Sequence, residues 1–237
     1  MVLSGDPGTG RTTAARLIAS ILHTGGLLPT DNVLTVNFND LLGRYPGQST
    51  NQTSTILDQA IGGVLIIEDA SAIGNSGAAT QNEEVSTNLH AMTSHQRDLC
   101  ILFIEYGTAV PRLFDLNPGI GSRIARHFTF HPPLVEHIVA VAESVVNQRR
   151  SEFALTTNAL SELASTLDHY SPRERAVCGN LRVGRAVIED AVIKRTALLP
   201  TEELDNLAKS GKPLTLDGQM LAASTNDIFT RQLEIRP

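Results

Sequence analysis

The chain has 237 residues, with 25 Asp and Glu against 19 Lys and Arg and a formal net charge of -6. This acidic balance argues against a protein that binds nucleic acid over a wide basic surface, and no apolar run approaches the roughly 20 residues that span a bilayer. Cys100 and Cys178 lie far apart without metal-ligand spacing, so we expect free thiols and a cytoplasmic location.

The first half of the chain alternates predicted strands with predicted helices. Strand patterns occur at 2–3, 32–38, 64–67, 100–104 and 127–130, and the runs 64–67 and 100–104 have the composition of strands buried on both faces. Helical spacing of apolar residues lies between them, over 12–22, 53–60 and 83–95. This alternation predicts an α/β domain over 1–131, with a parallel sheet flanked by helices. The domain is expected to be short at its N-terminus, because the chain begins almost at the first strand.

Pro132 and Pro133 mark the predicted end of this domain, since the pattern beyond them is helical only. Helices are expected over 134–149, 157–169 and 182–199, which form a small helical lid domain over 132–199. Residues 200–237 are polar and weakly periodic, and they are interrupted by Gly211, Pro213 and Gly218. We expect a loosely ordered C-terminal tail there, with one short element.

A glycine-rich segment follows the first predicted strand and precedes the first helix: Gly5-Asp6-Pro7-Gly8-Thr9-Gly10-Arg11-Thr12. It matches a phosphate-binding loop in every position but one, because Arg11 replaces the usual lysine. In such a loop the backbone N–H groups face the phosphates, the basic side chain reaches the β- and γ-phosphates, and the hydroxyl of Thr12 ligates Mg²⁺. We therefore predict a nucleotide-binding site that comprises these residues.

Arg11 leaves two outcomes open at this loop. A guanidinium keeps the positive charge of lysine but is longer, planar and forked. If Arg11 supports phosphate binding, Arg11→Lys should raise the turnover or the affinity for ATP. Loss of both would mean that the loop has been rebuilt around the guanidinium.

Two adjacent carboxylates, Glu68 and Asp69, close the apolar strand over 64–67. In phosphoryl-transfer sites the first carboxylate orients Mg²⁺ and the second polarises the attacking water, beside the phosphate loop at a strand's C-terminal edge. The usual order is Asp then Glu, and the reversal makes the second side chain a methylene shorter. Glu68 is predicted to hold Mg²⁺ together with Thr12, and Asp69 is predicted to act as the base.

The chain resembles the AAA+ ATPases in five segments, and within them the CbxX/CfqX group, which includes Rubisco activases and the ATPase lobe of EccA-type secretion proteins. The segments are 5–13, 40–47, 62–70, 117–123 and 179–182. The resemblance implies a P-loop AAA+ module with ATP and Mg²⁺ as ligands, and ATP-driven remodelling of a protein client. It also implies self-association into a ring, expected to be a hexamer, or a mixed ring with a related subunit.

The resemblance further implies roles for single positions. Arg123 would be the arginine finger that reaches the γ-phosphate in the neighbouring subunit, and Arg182 would be the sensor arginine of the lid. Tyr45, Pro46 and Gly47 would form the pore loop that grips the client. The resemblance also places Thr13 at the nucleotide. From the residues alone, Arg182 is equally able to pair with Glu189 or Asp190 of its own predicted helix or with neighbouring elements.

Two functions stay open. The first is a working remodelling ATPase, and the second is a catalytically impaired subunit that holds nucleotide or the ring interface while a related subunit hydrolyses. Arg11, the reversed Glu68-Asp69 pair and the lack of a segment before the first strand favour the second. The charges retained at every reacting position, including Arg123, favour the first. A third function, a monomeric kinase-like P-loop enzyme, leaves 117–123 unexplained.

Overall fold

The computed structural model describes residues 1–41, 49–69, 99–105, 124 and 126–235. The chain forms two compact units. The first comprises Met1–Asp6 and Gly10–His131, and the second comprises Pro7–Thr9 and Pro132–Pro237. Each unit has its own hydrophobic core.

A parallel sheet forms the centre of the first unit. Its strands are β1 Val2–Gly5, β2 Val33–Asn37, β3 Val64–Glu68, β4 Cys100–Glu105 and β5 His127–Phe130. They lie side by side in the order β2-β3-β4-β1-β5, and every neighbouring pair is parallel. The predicted α/β fold with a parallel sheet is confirmed.

Helices α1 Arg11–Thr24, α2 Phe38–Leu41 and α3 Ser49–Ala60 cover the two faces of this sheet. Successive side chains of a strand point to opposite faces. Alternate strand residues therefore enter two different cores: Leu3, Ile66 and Leu102 pack with Ala15 and Ala19 of α1, and Val2, Leu65 and Ile67 pack with Leu41 and Leu57. Burial on both faces explains the continuous apolar runs in the sequence.

The register of the strands brings polar residues to one edge of the sheet. Asn37 of β2 lies opposite Glu68 of β3, and Glu68 lies opposite Ile104 of β4. Glu105, the last residue of β4, lies opposite Ser4 of β1. Because all five strands are parallel, these residues share the carboxyl edge, where α/β proteins bind their ligands.

The second unit is mostly helical. Its helices are α4 Val135–Gln148, α5 Ala159–Asp168, α6 Pro172–Val177, α7 Arg182–Leu198, α8 Thr201–Ser210 and α9 Gly218–Ile235, and its strands β6 Phe153–Leu155 and β7 Leu214–Leu216 form a parallel pair. Fully buried residues of α4, α5, α7 and α9 form one core, among them Ile138, Leu163, Val187 and Phe229.

The expectation of a loosely ordered tail over 200–237 is wrong. The structure has helix α8 and the 18-residue helix α9 there, and Leu221 and Phe229 of α9 are fully buried. The apolar period is obscured because Ser224 and Thr225 also occupy buried positions of α9. Thr225 satisfies its hydroxyl locally by donating to the Leu221 carbonyl at 2.7 Å.

The region 132–199 is also not helical only. Strand β6 pairs with β7 at a distant point of the chain, which no local pattern predicts. Helix α6 begins with a reciprocal cap, in which the Ser171 N–H donates to the Glu174 carboxylate at 2.7 Å and the Glu174 N–H donates to Ser171 Oγ at 3.3 Å. The predicted helix over 83–95 lies outside the described residues. None of the described helices is long and apolar enough to cross a membrane.

Candidate nucleotide-binding site

The turn between β1 and α1 needs glycine at both of its ends. A Cβ atom at Gly5 would lie 2.4 Å from the carbonyl oxygen of Phe130 in β5. Gly10 precedes α1 with a φ of 94°, in the left-handed region that residues with a Cβ atom rarely adopt. These two positions let the chain leave the sheet and enter the helix within a few residues.

The N-terminus of α1 follows this turn. The helix has 14 residues, and no acidic side chain lies in its first turn. The N–H groups at such an end lack partners within the helix, and the helix dipole favours an anion there. Thr12 is half-buried and Thr13 is exposed in this turn. The end of α1 is therefore suited to a phosphate group.

Thr12 and Glu68 lie together, as the sequence predicts for a metal site. The Thr12 hydroxyl donates to Glu68 Oε1 at 3.2 Å, although 56 residues separate the two in the chain. A hydroxyl and a carboxylate are the hard oxygen ligands that Mg²⁺ takes, usually with one or two protein carboxylates and with phosphate oxygens. The described residues contain no cluster of three or more His, Cys, Asp or Glu side chains that could hold a metal. The pair fits Mg²⁺ that is shared with a phosphate.

Asp69 is held by a residue that sequence reasoning did not select. Asn37, at the end of β2, donates through Nδ2 to Asp69 Oδ2 at 2.9 Å. Asp69 has a φ of 55°, a left-handed conformation that Asp tolerates better than most residues. Asp69 is half-buried, and one oxygen of its carboxylate is engaged by Asn37.

Arg11 is buried, with 6% of its surface exposed. Its Nη1 donates a hydrogen bond to the main-chain carbonyl of Glu105 at the end of β4. The guanidinium thus lies at the carboxyl edge beside the first turn of α1. The sequence predicts its place next to the loop, but not its partner.

Glu105 is fully buried, and its two carboxyl oxygens accept no hydrogen bond within the described part of the chain. Burial raises the pKa of this carboxyl to about 7, because desolvation disfavours the charged form. A group with this pKa is partly protonated at neutral pH. The edge therefore contains a buried cation and a buried acid in addition to Glu68 and Asp69.

The loop residues Pro7–Thr9 belong to the second unit. There Asn180 Nδ2 donates to the Pro7 carbonyl at 3.0 Å, and the Leu181 N–H donates to the Gly8 carbonyl at 3.0 Å. Asn180 is buried and has a φ of 54°. These bonds hold the tip of the loop against the turn that precedes α7.

Arg182 begins α7 and is exposed. The acidic residues of its own helix have other partners, since Glu189 pairs with Arg185 at 3.6 Å and Asp190 pairs with Lys194 at 2.8 Å. The structure thus gives no support to the alternative in which Arg182 pairs within α7. Arg123 and the pore-loop residues Tyr45, Pro46 and Gly47 lie outside the described residues.

Asn37 and Glu105 are the residues of this edge that sequence reasoning missed. Each is the last residue of a parallel strand, and polar strand ends could have been the signal. Asn37 stands in a polar stretch without a recognisable motif, and Glu105 lies outside the five segments that carry the resemblance.

A family model described as "ATPase family associated with various cellular activities (AAA)" matches residues 1–132. This is more than half of the 237 residues, and the chain belongs to the AAA family. It is similar to "Protein CfxQ homolog" of Pyropia yezoensis, with 27% identity over 98% of this chain and 74% of that protein. The predicted membership of the CbxX/CfqX group is confirmed.

A second relative is "ESX-3 secretion system protein EccA3" of Mycobacterium tuberculosis (strain H37Rv), with 28% identity over 96% of this chain and 37% of that protein. The chain thus spans little more than a third of EccA3. Among solved structures, the FIGL-1 AAA domain in complex with ADP has a TM-score of 0.62 and 14% identity, and the match covers 96% of this chain and 70% of that one. This likeness shows the fold alone, and the predicted AAA+ fold is confirmed.

Proposed function

We propose that this chain binds ATP with Mg²⁺ and hydrolyses it, and that hydrolysis drives the remodelling of a protein client within a ring of subunits. The observation that carries the proposal is the hydrogen bond between the Thr12 hydroxyl and Glu68. It joins the phosphate-loop helix to the acidic strand end, which is the pairing that Mg²⁺·ATP chemistry requires. Membership of the AAA family of ATPases supports the same conclusion.

Each part of the loop has a role in binding. The backbone N–H groups of residues 5–10 and the N-terminus of α1 would receive the phosphates, with Arg11 supplying the positive charge. Thr12 and Glu68 would hold Mg²⁺, which would neutralise negative charge on the phosphates. The resemblance also assigns Thr13 and Arg182 to the nucleotide.

Hydrolysis needs a base for the attacking water. Asp69 would accept a proton from the attacking water. The water oxygen would bond to the γ-phosphorus while the bond between the γ-phosphorus and the oxygen that leaves with ADP breaks. Asn37 would orient the Asp69 carboxylate, because it already holds Oδ2 at 2.9 Å. Arg123 of a neighbouring subunit would stabilise the charge of the transition state.

The client side of the proposal rests on the family. Tyr45, Pro46 and Gly47 would face the central pore and contact a protein client through the tyrosine ring. The matched relatives have names from different settings, a CfxQ homolog and an ESX-3 secretion protein. Both relatives match nearly the whole of this chain, so the proposal names a protein client without choosing between the settings.

A second candidate function is a nucleotide-holding subunit with impaired catalysis. The observation that favours it is the short Asp69 side chain, one oxygen of which Asn37 already engages. A base must come within about 3 Å of the proton it removes. In this candidate, a related subunit of a mixed ring hydrolyses ATP, and this chain contributes binding energy and the interface.

The test is phosphate release from ATP by the full chain, at concentrations from nanomolar to tens of micromolar. Asp69→Asn should lower turnover by a factor on the order of 10²–10⁴, the usual contribution of a general base. It should leave intact the rise in melting temperature that Mg²⁺·ATP causes. Asp58→Asn, an exposed carboxylate of α3, is the matched control and should behave as the wild type.

The outcomes separate the two candidates. Turnover that rises cooperatively with protein concentration and stops on adding a chelator supports the working ATPase. Absence of turnover, with Mg²⁺·ATP still raising the melting temperature, selects the nucleotide-holding subunit. Equal turnover in Asp69→Asn and Asp58→Asn removes Asp69 as the base.

A further inference from the structure

Arg11 is the one departure of the loop from its pattern, and the structure buries it. Only 6% of its surface is exposed, and its Nη1 donates to the main-chain carbonyl of Glu105. Burying a charged side chain is costly unless the fold provides hydrogen bonds for it. Arg11 is the first residue of α1, and the Glu105 carbonyl accepts a hydrogen bond from its buried guanidinium, so the burial indicates a position that the fold holds.

The residue that holds Arg11 belongs to the middle of the sheet. Strand β4 lies between β3 and β1, which carry the carboxylates and the loop. Glu105 lies opposite Ser4, and the residue after Ser4 opens the glycine-rich turn. Arg11 therefore joins the first turn of α1 to the end of β4, at the level where the turn leaves the sheet.

A guanidinium and an ammonium differ at this place. The guanidinium has five N–H donors in a planar fork, so that one can remain on a carbonyl while others face a phosphate. The lysine ammonium carries its donors at one point on a shorter side chain. It would have to leave the Glu105 carbonyl in order to reach a phosphate, and a buried carbonyl without its donor is unfavourable.

We infer that the ATP site of this chain is specific for arginine: the main-chain carbonyl of Glu105 positions the Arg11 guanidinium for the phosphates, and lysine cannot take its place. The inference deepens the proposed function and rests on it. It selects the second of the two outcomes considered for Arg11, a loop rebuilt around the guanidinium. Glu105 is a positioning residue in this scheme, because it acts on the nucleotide through Arg11.

The test compares the wild type with Arg11→Lys and with Arg16→Lys, an exposed arginine one turn further along α1. The dissociation constant for Mg²⁺·ATP is measured by titration at a temperature where all three proteins are folded. Arg11→Lys should raise it on the order of tenfold or more, as expected for loss of a hydrogen bond to a charged group. Arg16→Lys should match the wild type.

Two results would overturn the inference while leaving the proposed function in place. One is Arg11→Lys that binds Mg²⁺·ATP as tightly as the wild type or more tightly. The other is a lower melting temperature of Arg11→Lys together with an unchanged dissociation constant for Mg²⁺·ATP. That result would mean that Arg11 only stabilises the fold. A wild type that binds no Mg²⁺·ATP would overturn the proposed function itself and the inference with it.

A measurement on the wild type keeps the inference testable if Arg11→Lys does not fold. Nitrogen-15 spectra of the arginine side chains should show slow rotation for the guanidinium groups of the two buried arginines, Arg11 and Arg175, and the Arg11 signal is assigned by its absence in Arg11→Gln. Mg²⁺·ATP should shift this signal and leave that of Arg16 in place. An Arg11 signal that does not respond to saturating Mg²⁺·ATP would contradict the inference.

Discussion

Each unit of the molecule buries one arginine in the described part of the chain, and the two arginines face different surroundings. Arg11 of the first unit is 6% exposed and Arg175 of the second is 8% exposed. Both donate to main-chain carbonyls: Arg11 to Glu105, and Arg175 to Leu167 at 3.1 Å and to Tyr170. By burial and hydrogen bonding alone, the two are alike.

The two arginines differ in their structural surroundings. Arg175 closes the C-terminal end of α5, where the last carbonyls of a helix lack partners, and the residues around it belong to an apolar core. Arg11 stands at the carboxyl edge of a parallel sheet, next to a glycine turn and the Thr12–Glu68 pair. A buried arginine therefore indicates function only when its neighbours are themselves suited to a ligand, and the following predictions test that distinction.

The largest effect is expected in the apolar core of the second unit. Phe229 of α9 is fully buried, and its ring stacks on Tyr170 with a centroid distance of 3.9 Å. Phe229→Ala should lower the free energy of unfolding of this unit by about 3–5 kcal/mol, measured by urea denaturation. Ile235→Ala, at a site 73% exposed on the same helix, should change it by less than about 0.5 kcal/mol. Equal small effects would mean that α9 is not part of the core.

A smaller effect, dependent on pH, is expected at the edge of the first unit. Burial raises the pKa of Glu105 to about 7 in the folded chain, from 4.5 when unfolded. The folded state therefore binds the proton more tightly, and its stability should fall as the pH rises from about 4 to 7, by roughly 3 kcal/mol in total. Glu105→Gln, which has no proton to lose, should remove this fall.

The measurement for Glu105 is the free energy of unfolding of the wild type and Glu105→Gln at pH 5 and pH 8. The free energy of unfolding of Glu105→Gln minus that of the wild type should be larger at pH 8 than at pH 5. Glu143→Gln, an exposed residue of α4, serves as the control for loss of a carboxylate. Parallel stability profiles for the wild type and Glu105→Gln would show that the Glu105 carboxyl reaches water.

The smallest effect is expected at Arg175. Arg175→Lys should cost about 1–3 kcal/mol of stability, because the carbonyls of Leu167 and Tyr170 lose donors in a buried position. The dissociation constant for Mg²⁺·ATP should not change, in contrast to Arg11→Lys. Arg173→Lys, exposed on the same helix α6, is the matched control. An Arg175→Lys protein with weakened ATP binding would erase the distinction between the two arginines.

The sequence by itself determined most of the described part of the first unit. The strands at 64–67 and 100–104 are read from continuous apolar runs, and the loop over 5–12 from its glycines and the following hydroxyls. These features depend on local chain geometry and on the period of side-chain burial, which a single sequence records. The close approach of Thr12 and Glu68 also followed, since parallel strands end at one edge.

Only the tertiary structure decided the rest. The bonds of Asn37 with Asp69 and of Arg11 with Glu105 join residues 32 and 94 positions apart, and they depend on strand register and side-chain reach. Helix α9 was unpredictable for a related reason, because its core face includes the polar residues Ser224 and Thr225. A sequence records which residues could be buried or paired, but the partner of each is set by elements that meet only when the chain has folded.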